Sequence, residues 1–258
     1  MKIAILADIH GNSIALDNVL DDIQTIGPVD EYWFLGDFVA IGHDPIGVLE
    51  RLSNLHTTRF IRGNTDRYLY TGELPWPQFS DIKKDPILAE LHLQVARSFS
   101  WTTGAVAATG WLPWFKKLDL DMRVVLPDGT RVLAVHAAPS TDDGMGIEIN
   151  TSDEQLRGLV SGEKAQLVLV GHTHLPFDRT VQSIRVVNPG SISNPFPPDL
   201  RASYALLEAD QNGYQISHRR VDYDREAVIK SVQEVNHPAF SYITRFMKGE
   251  NKKKWMNS

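Results

Sequence analysis

Five times along this chain a short apolar run leads into a residue whose side chain binds metals well, and that repeated arrangement constrains the fold more than any other feature. The runs are Ile3 to Ala7, Tyr32 to Leu35, Arg59 to Ile61, Val132 to Val135 and Leu167 to Val170. They lead to Asp8 with His10, Asp37 after Gly36, Asn64 after Gly63, His136, and His172 with His174 after Gly171. Most of the runs are rich in Val, Ile and Leu, so they read as strands buried on both faces. Open sheets of such strands gather ligands in the crevice beyond the strand carboxyl ends, where loops from different strands meet. All seven side chains are therefore expected at one sheet edge. Carboxylate, imidazole and amide oxygen donors without a thiolate suit a pair of borderline or hard divalent ions, which points to two-metal hydrolytic chemistry. A single Asp or His at a strand end is more often a cap or a surface group, so the ordered set carries the reading.

The segments Asp8-Ile9-His10-Gly11-Asn12, Gly36-Asp37, Gly63-Asn64-Thr65-Asp66, Val135-His136 and Gly171-His172-Thr173-His174 follow one another in the order found in a known family. On them the chain resembles the calcineurin-like metallophosphoesterases. Val187-Asn188-Pro189-Gly190-Ser191 and Arg201-Ala202-Ser203-Tyr204-Ala205-Leu206-Leu207 are similar to segments of a bacterial and archaeal branch of small phosphodiesterases, so the resemblance spans roughly residues 1 to 230. It implies an α/β (α+β) fold: a four-layer αββα sandwich of two mixed β-sheets flanked by helices, with a dinuclear metal centre at one edge. Carried over residue by residue, it gives one divalent ion to Asp8, His10 and His174, and the other to Asn64, His136 and His172, with Asp37 bridging both. It further implies that a hydroxide shared by ions about 3.5 to 4 Å apart attacks phosphorus in line. Positioning and electrostatics then supply most of the catalysis. Mixed oxygen and nitrogen donors accept Mn, Fe, Ni, Co or Zn, so the sequence leaves metal identity open.

One position departs from the family pattern. In many members the residue after the motif Asn is a His that serves the leaving group or the phosphate, and here it is Thr65. His43, in Ile41-Gly42-His43-Asp44-Pro45, is a candidate proton donor from its loop. Asp66 is a second, provided its pKa is raised. Without a strong acid the favoured substrates are those whose leaving group departs readily, such as aryl esters or pyrophosphate-type links. Asn12, Asn64 and Thr65 are candidate substrate contacts, although Asn12 or Ser13 equally caps a helix carrying Leu16, Val19, Leu20 and Ile23, and the cap is favoured. Asn188, Pro189 and Gly190 read either as a turn near the site or as a strand exit. His56, His92, His218 and His237 match no ligand spacing and read as structural or solvated.

The expected activity is metal-dependent hydrolysis of phosphate esters, with diesters ahead of monoesters on the strength of the branch resemblance. Rival readings are a phosphomonoesterase or phosphoprotein phosphatase, a dinucleotide polyphosphate hydrolase and, from another class, a non-catalytic metal-binding scaffold of the same fold. A formal net charge of -6 argues against binding extended nucleic acid, which requires many phosphates to be neutralised by clustered Lys and Arg. The expected partner is a small phosphorylated substrate; oligomeric state stays open. With no cysteine, disulfides and a thiolate nucleophile are excluded. Lys2 opens straight into the run from Ile3 to Ala7, too short for a signal peptide. No apolar run approaches about 18 residues, so a cytoplasmic location without membrane association is expected.

Residues 1–258 read as one metallophosphoesterase domain, and 42% hydrophobic content suits a single large core. The stretch of about 68–118 breaks the strand-and-ligand rhythm and reads as a helical insertion or cap. Ile87, Leu88, Leu91, Val95 and Phe99 recur in it at helical spacing, between prolines 75, 77 and 113. It holds Trp76, Trp101, Trp111 and Trp114, which read mainly as packing for the helices, with one or two rings left to stack on a nucleobase. Pro127 to Thr130 is a hairpin turn between Arg123 to Leu126 and Arg131 to Val135, which makes the second sheet mixed. Ser203 to Glu208 and Tyr214 to Arg220 read as another hairpin, one that finishes the second sheet. Residues of about 222–258 are C-terminal helices, from about Asp224 to Asn236 and Ala239 to Lys248, split at His237-Pro238. A Lys-rich end at Lys252 to Lys254 is expected to fray.

Overall fold

Alternation along the strands sets the layers, because successive side chains point to opposite faces. The structure, a computed structural model, describes residues 1–251. In its first half, strands β1 (Lys2–Leu6), β2 (Glu31–Phe34) and β3 (Thr58–Phe60) alternate with helices α1 (Ser13–Thr25), α2 (Pro45–Ser53) and α3 (Asn64–Thr71). Three further helices follow: α4 (Phe79–Lys84), α5 (Leu88–Ala108) and α6 (Leu112–Phe115). Then come β4 (Asp121–Val125), β5 (Arg131–Val135), α7 (Asp153–Val160), β6 (Leu167–Leu169), β7 (Phe177–Val181) and β8 (Ile184–Asn188). The hairpin of β9 (Ala202–Asp210) and β10 (Gly213–Val221) precedes α8 (Arg225–Glu234) and α9 (Phe240–Met247).

These strands form two five-stranded mixed sheets, ordered β10-β9-β1-β2-β3 and β4-β5-β6-β8-β7. Ile3 and Ile5 of β1 and Trp33 of β2 meet Val132 and Ala134 of β5 and Leu167 and Leu169 of β6, forming the core between the sheets. The alternate residues Ala4, Leu6 and Phe34 face outward onto Leu16, Val19 and Ile23 of α1. On the far side, Leu133, Val135 and Val168 pack with Leu156 and Val160 of α7. The result is the expected four-layer αββα arrangement. Each fully buried Leu, Val or Ile contributes about 1.5 to 3 kcal/mol, so the three cores outweigh any single polar contact. Helix α1 begins where it does because Asn12 caps it, its side-chain oxygen accepting from the Ala15 amide at 3.0 Å.

Two expectations need correction. The β9–β10 hairpin finishes the first sheet, not the second: β9 runs antiparallel to β1, with Lys2 opposite Glu208 and Ile5 opposite Ala205. The physical reason is that β9 is buried on both faces. Ala205, Leu207 and Ala209 enter the inter-sheet core, while Ala202, Tyr204 and Leu206 enter the helix-side core, so the strand needs the central place beside β1. The second sheet is finished instead by the β7–β8 hairpin, with β8 parallel to β6. Strand β3 is also not buried on both faces; it is an edge strand whose Arg59 is exposed and reaches Glu31 at 2.7 Å.

Between α3 and β4 the regular elements are the helices α4, α5 and α6. Trp114 packs edge-on to Phe60 at 5.2 Å and lies 5.6 Å from Phe38, and Trp101 stands edge-on to His237 at 4.7 Å. Trp76 is exposed, as are Ile87 and Leu91 at the start of α5, whereas Phe99 and Val106 are buried. His237 separates α8 from α9, its Nδ1 accepting from the Ala239 amide at 3.0 Å. The expected fraying at Lys252 to Lys254 lies outside the described residues. Among the described residues no helix is long and apolar enough to cross a membrane.

Candidate metal centre

Where β1, β2 and β6 end, the backbone turns through the left-handed region at residues that are not glycine: Asp8 (φ 56°), His10 (48°), Asp37 (59°), His172 (64°) and His174 (64°). Such conformations cost on the order of 1 to 3 kcal/mol each, persist only when their surroundings over-determine them, and cluster at functional sites. Here the loops after β1 and β2 are zipped together by Asp8 N to Gly36 O (3.1 Å), His10 N to Asp37 O (3.0 Å) and Gly11 N to Phe38 O (2.9 Å). The loop before α3 comes closer still. At Gly36, also left-handed with φ 90°, a Cβ would stand 2.7 Å from the Gly63 Cα and 2.8 Å from His136 Nδ1, so only glycine fits.

Four histidines converge on this edge, and each has one ring nitrogen bonded to a backbone carbonyl. His10 Nδ1 meets Ala40 O at 3.0 Å, His136 Nδ1 meets Leu35 O at 2.6 Å, His174 Nδ1 meets Asn194 O at 3.0 Å, and His172 Nε2 meets Gly144 O at 2.9 Å. A carbonyl can only accept, so the ring nitrogen facing it carries the hydrogen, and the other nitrogen of a neutral ring presents a lone pair. Those other nitrogens point at one another and at oxygen. His10 Nε2 is 3.2 Å from His174 Nε2, and Asn64 Oδ1 is 3.2 Å from both His136 Nε2 and His172 Nδ1. Asp8 Oδ1 is 3.3 Å from His174 Nε2, Asp37 Oδ2 is 3.4 Å from His136 Nε2, and the buried Asp8 Oδ1 has no hydrogen-bond partner. Acceptors brought together without donors repel unless a cation lies among them. The donor atoms of Asp8, His10 and His174 all lie within 4.8 Å of one another, as do those of Asp8, Asp37 and His136, so the residues fit divalent cations.

The charge balance agrees. Burial raises Asp37, but His136 and His10 outweigh it and hold the carboxyl far below its usual range. Burial likewise raises Asp8, and His174 and His136 lower it further than burial lifts it. Burial lowers His136, yet the Asp37 and Asp8 carboxylates prevail and push it up to about 10. Burial keeps His10 and His172 below the usual imidazole value. Ionised carboxylates in a dry cluster draw positive charge, and a proton on His136 answers the same demand that a metal ion meets.

The remaining expected residues divide. Asn12 spends its oxygen on the α1 cap and its nitrogen on Ser193 Oγ at 3.3 Å, in line with the cap reading. Thr65 donates its backbone N–H to Asp37 Oδ1 at 3.0 Å, and its buried hydroxyl has no partner. Burial and the Asp37 charge push Asp66 up to about 7. Its geometry is nonetheless that of an acceptor: Oδ2 receives the amides of Asp37 and Gly63 at 2.8 Å, and Oδ1 that of Phe38 at 3.0 Å. The carboxyl is fully buried with both oxygens taken up by backbone amides, an arrangement that suits holding Asp37 rather than donating a proton to substrate. His43 lies beside α1, with Nε2 3.5 Å from Ser13 Oγ, and its charged neighbours are Asp44 and Arg51, outside the seven.

Asn188, Pro189 and Gly190 read either as a turn near the site or as a strand exit; they open a segment, running on to Asn194, that braces the site. Asn188 Nδ2 donates to Gly171 O at 2.7 Å and to Thr173 Oγ1 at 3.0 Å, bracing the loop that carries His172 and His174. Ser191 Oγ donates to Asp8 O at 2.9 Å, and Asn194 O receives His174. The signal was present in Asn188-Pro189-Gly190-Ser191, but a turn motif does not say which loop it braces.

Comparison with known proteins bears on the fold and the family. An uncharacterized protein of Methanocaldococcus jannaschii is 25% identical in an alignment 237 residues long that covers 86% of this chain and 88% of that one. A hypothetical protein from Pyrococcus horikoshii superposes with a TM-score of 0.79 at 20% identity, covering 95% of this chain and 97% of its own. A metallophosphoesterase from Sphaerobacter thermophilus superposes with a TM-score of 0.72 at 25% identity, covering 96% and 99%. The family model of the calcineurin-like phosphoesterase superfamily domain matches residues 1–212, the span that carries every side chain of the cluster, and the chain belongs to that superfamily.

Proposed function

We propose that this phosphoesterase hydrolyses phosphodiesters in preference to monoesters, using two divalent ions held by seven side chains. Asp8, His10 and His174 hold one ion and Asn64, His136 and His172 the other, with Asp37 shared between them. The single observation behind this reading is the convergence of acceptor atoms, with each histidine locked by a backbone carbonyl so that, in the neutral ring, its other nitrogen presents a lone pair. When bound, divalent ions supply positive charge to the phosphoryl oxygens and lower the pKa of water. The chain's own contribution is to fix the direction of every donor and to exclude water from behind Asp8, Asp37 and His136, which are all buried.

The Thr65 hydroxyl, buried and without a partner on a residue whose N–H binds Asp37, is assigned to a phosphoryl oxygen of the substrate. No strong acid lies among the seven residues, so the favoured leaving groups depart without full protonation. A net charge of -6 favours a small phosphorylated substrate over a nucleic acid strand.

The test is a set of steady-state rates on bis(4-nitrophenyl) phosphate, 4-nitrophenyl phosphate and a dinucleoside tetraphosphate, each with Mn, Fe, Ni, Co or Zn. A higher kcat/KM on the diester is expected. Preference for the monoester or for the tetraphosphate sinks the diester assignment and moves the substrate class accordingly. Absence of turnover by folded, metal-loaded protein on all three favours a scaffold role.

A further inference from the structure

Asn64 is the one proposed ligand whose two side-chain ends differ in kind: its oxygen can bind a cation and its NH2 cannot. Something must therefore decide which end faces His136 and His172. Tyr68 stands one turn along α3, four residues on, where side chains of one helix face are neighbours and its hydroxyl is within reach of that amide. Tyr68 has a single hydroxyl proton, and it is committed elsewhere, to Asp143 Oδ2 at 2.5 Å. An oxygen whose proton is spent can only accept, so Asn64 must turn its NH2 toward Tyr68 and its Oδ1 toward the two histidines, each 3.2 Å away. Asp143 is itself held by Arg67 at 3.0 Å, and Arg67 also grips the buried Asp142, which receives Arg62 at 2.7 Å. The same loop supplies Gly144 O, which fixes His172 from the other side.

We infer that Tyr68 and Asp143 are positioning residues that set the polarity of the Asn64 amide and, through Gly144, the tautomer of His172, and so control occupancy of one ion site apart from the other. The inference rests on the proposed two-ion reading. Neither residue touches the proposed ligands of the first ion, Asp8, His10 and His174, in any hydrogen bond among the described residues. Groups that orient metal ligands from behind typically change metal affinity by about 10- to 100-fold when removed.

The experiment titrates metal-free full-length protein with Mn2+ by calorimetry and counts bound ions by elemental analysis. Tyr68→Phe keeps the ring that packs on Phe99 at 5.7 Å and under the Arg67 guanidinium at 5.0 Å, so the fold is expected to persist. The expected result is two classes of site in the parent chain, with the weaker class lowered about 10- to 100-fold in Tyr68→Phe and the stronger class unchanged. Asp143→Ala frees the Tyr68 proton to reach Asn64 Oδ1 and should act in the same way, whereas Asp143→Asn keeps an acceptor oxygen and should restore binding to within about threefold of the parent, that is, by less than about 0.7 kcal/mol. Should Tyr68→Phe not fold, the two Asp143 variants carry the same test. Equal weakening of both classes, or of neither, overturns the relay while leaving the two-ion reading intact. A parent chain that takes up only one ion overturns both.

Discussion

Asp37 is reached from three directions, and its variants are correspondingly informative. Its Oδ1 receives the Thr65 amide, its Oδ2 faces His136 at 3.4 Å and His10 at 3.7 Å, and its own N–H is gripped by Asp66. Asp37→Asn should abolish measurable turnover and lower bound metal, because a neutral amide shared between two cations leaves their repulsion uncompensated. Near-normal rates with full metal content would refute the shared role. Asp66→Asn tests the frame behind it. An amide offers one acceptor oxygen where three backbone N–H groups now meet a carboxylate, so at least one buried donor loses its partner, at a cost of roughly 1 to 3 kcal/mol. The expected readout is a lowered urea midpoint accompanied by a fall in kcat; unchanged stability would show that the three contacts contribute little. At this scale the sequence announced the side chains and hid their holders. Asp8, His10, Asp37, Asn64, His136, His172 and His174 stand out by residue type after apolar runs, but Ala40, Leu35, Gly144 and Asn194 act through main-chain carbonyls, which no residue type advertises.

Strands and helices were legible wherever their periodicity is local, and misread where partnership is long-range. The doubly buried run of β1 and the cap and apolar stripe of α1 can be read directly, and so can the turn between β4 and β5. Sheet membership of the β9–β10 hairpin cannot, because a strand buried on both faces fits the middle of either sheet and its partner β1 is about 200 residues away. What ties that hairpin to the first sheet's helices is also non-local. Tyr204 donates to Asp22 Oδ2 at 2.7 Å, and Arg219 makes a two-pronged contact with the same carboxylate at 2.8 and 2.9 Å. The Arg219 hydrogen bonds, helped by Tyr204, hold Asp22 below the usual carboxylate range against the opposing effect of burial. A carboxylate lowered in the folded state contributes stability above its unfolded pKa of about 3.9, and that contribution is lost as the pH falls through the folded value. Asp22→Asn should therefore destabilise the protein by about 1 kcal/mol at pH 7, a figure reduced for the partly exposed Arg219, with the difference shrinking below about pH 4. Urea titrations of both proteins across that range check it, and a gap independent of pH would show that charge is not its source.

At the scale of the whole molecule, the proposed ligands straddle the sandwich. Asp8, His10 and Asp37 lie in loops after β1 and β2 of the first sheet and Asn64 opens α3 after β3, while His136, His172 and His174 follow β5 and β6 of the second. The inter-sheet core of Ile3, Ile5, Trp33, Ala134 and Leu169 brings the sheets together but is apolar and directionless, so it does not by itself fix how their loop-bearing edges meet. Ions bound at that edge would tie loops of both sheets to one point and would bind the folded chain far better than the unfolded one, where the proposed ligands are scattered from residue 8 to residue 174. Free metal at a hundredfold excess over the dissociation constant adds about 2.7 kcal/mol per site. For a chain of this length each kcal/mol moves the midpoint by roughly 2 to 4 °C, so chelation should lower Tm by about 5 to 11 °C if one site dominates, and by more if both empty. Differential scanning calorimetry with Mn2+ and with chelator gives the shift directly. The Asp37→Asn variant supplies the control, because its Tm should respond much less to chelator than that of the parent. A parent Tm indifferent to metal would mean that the seven side chains hold their positions without ions, and the donor-free convergence of acceptors would then require another source of positive charge.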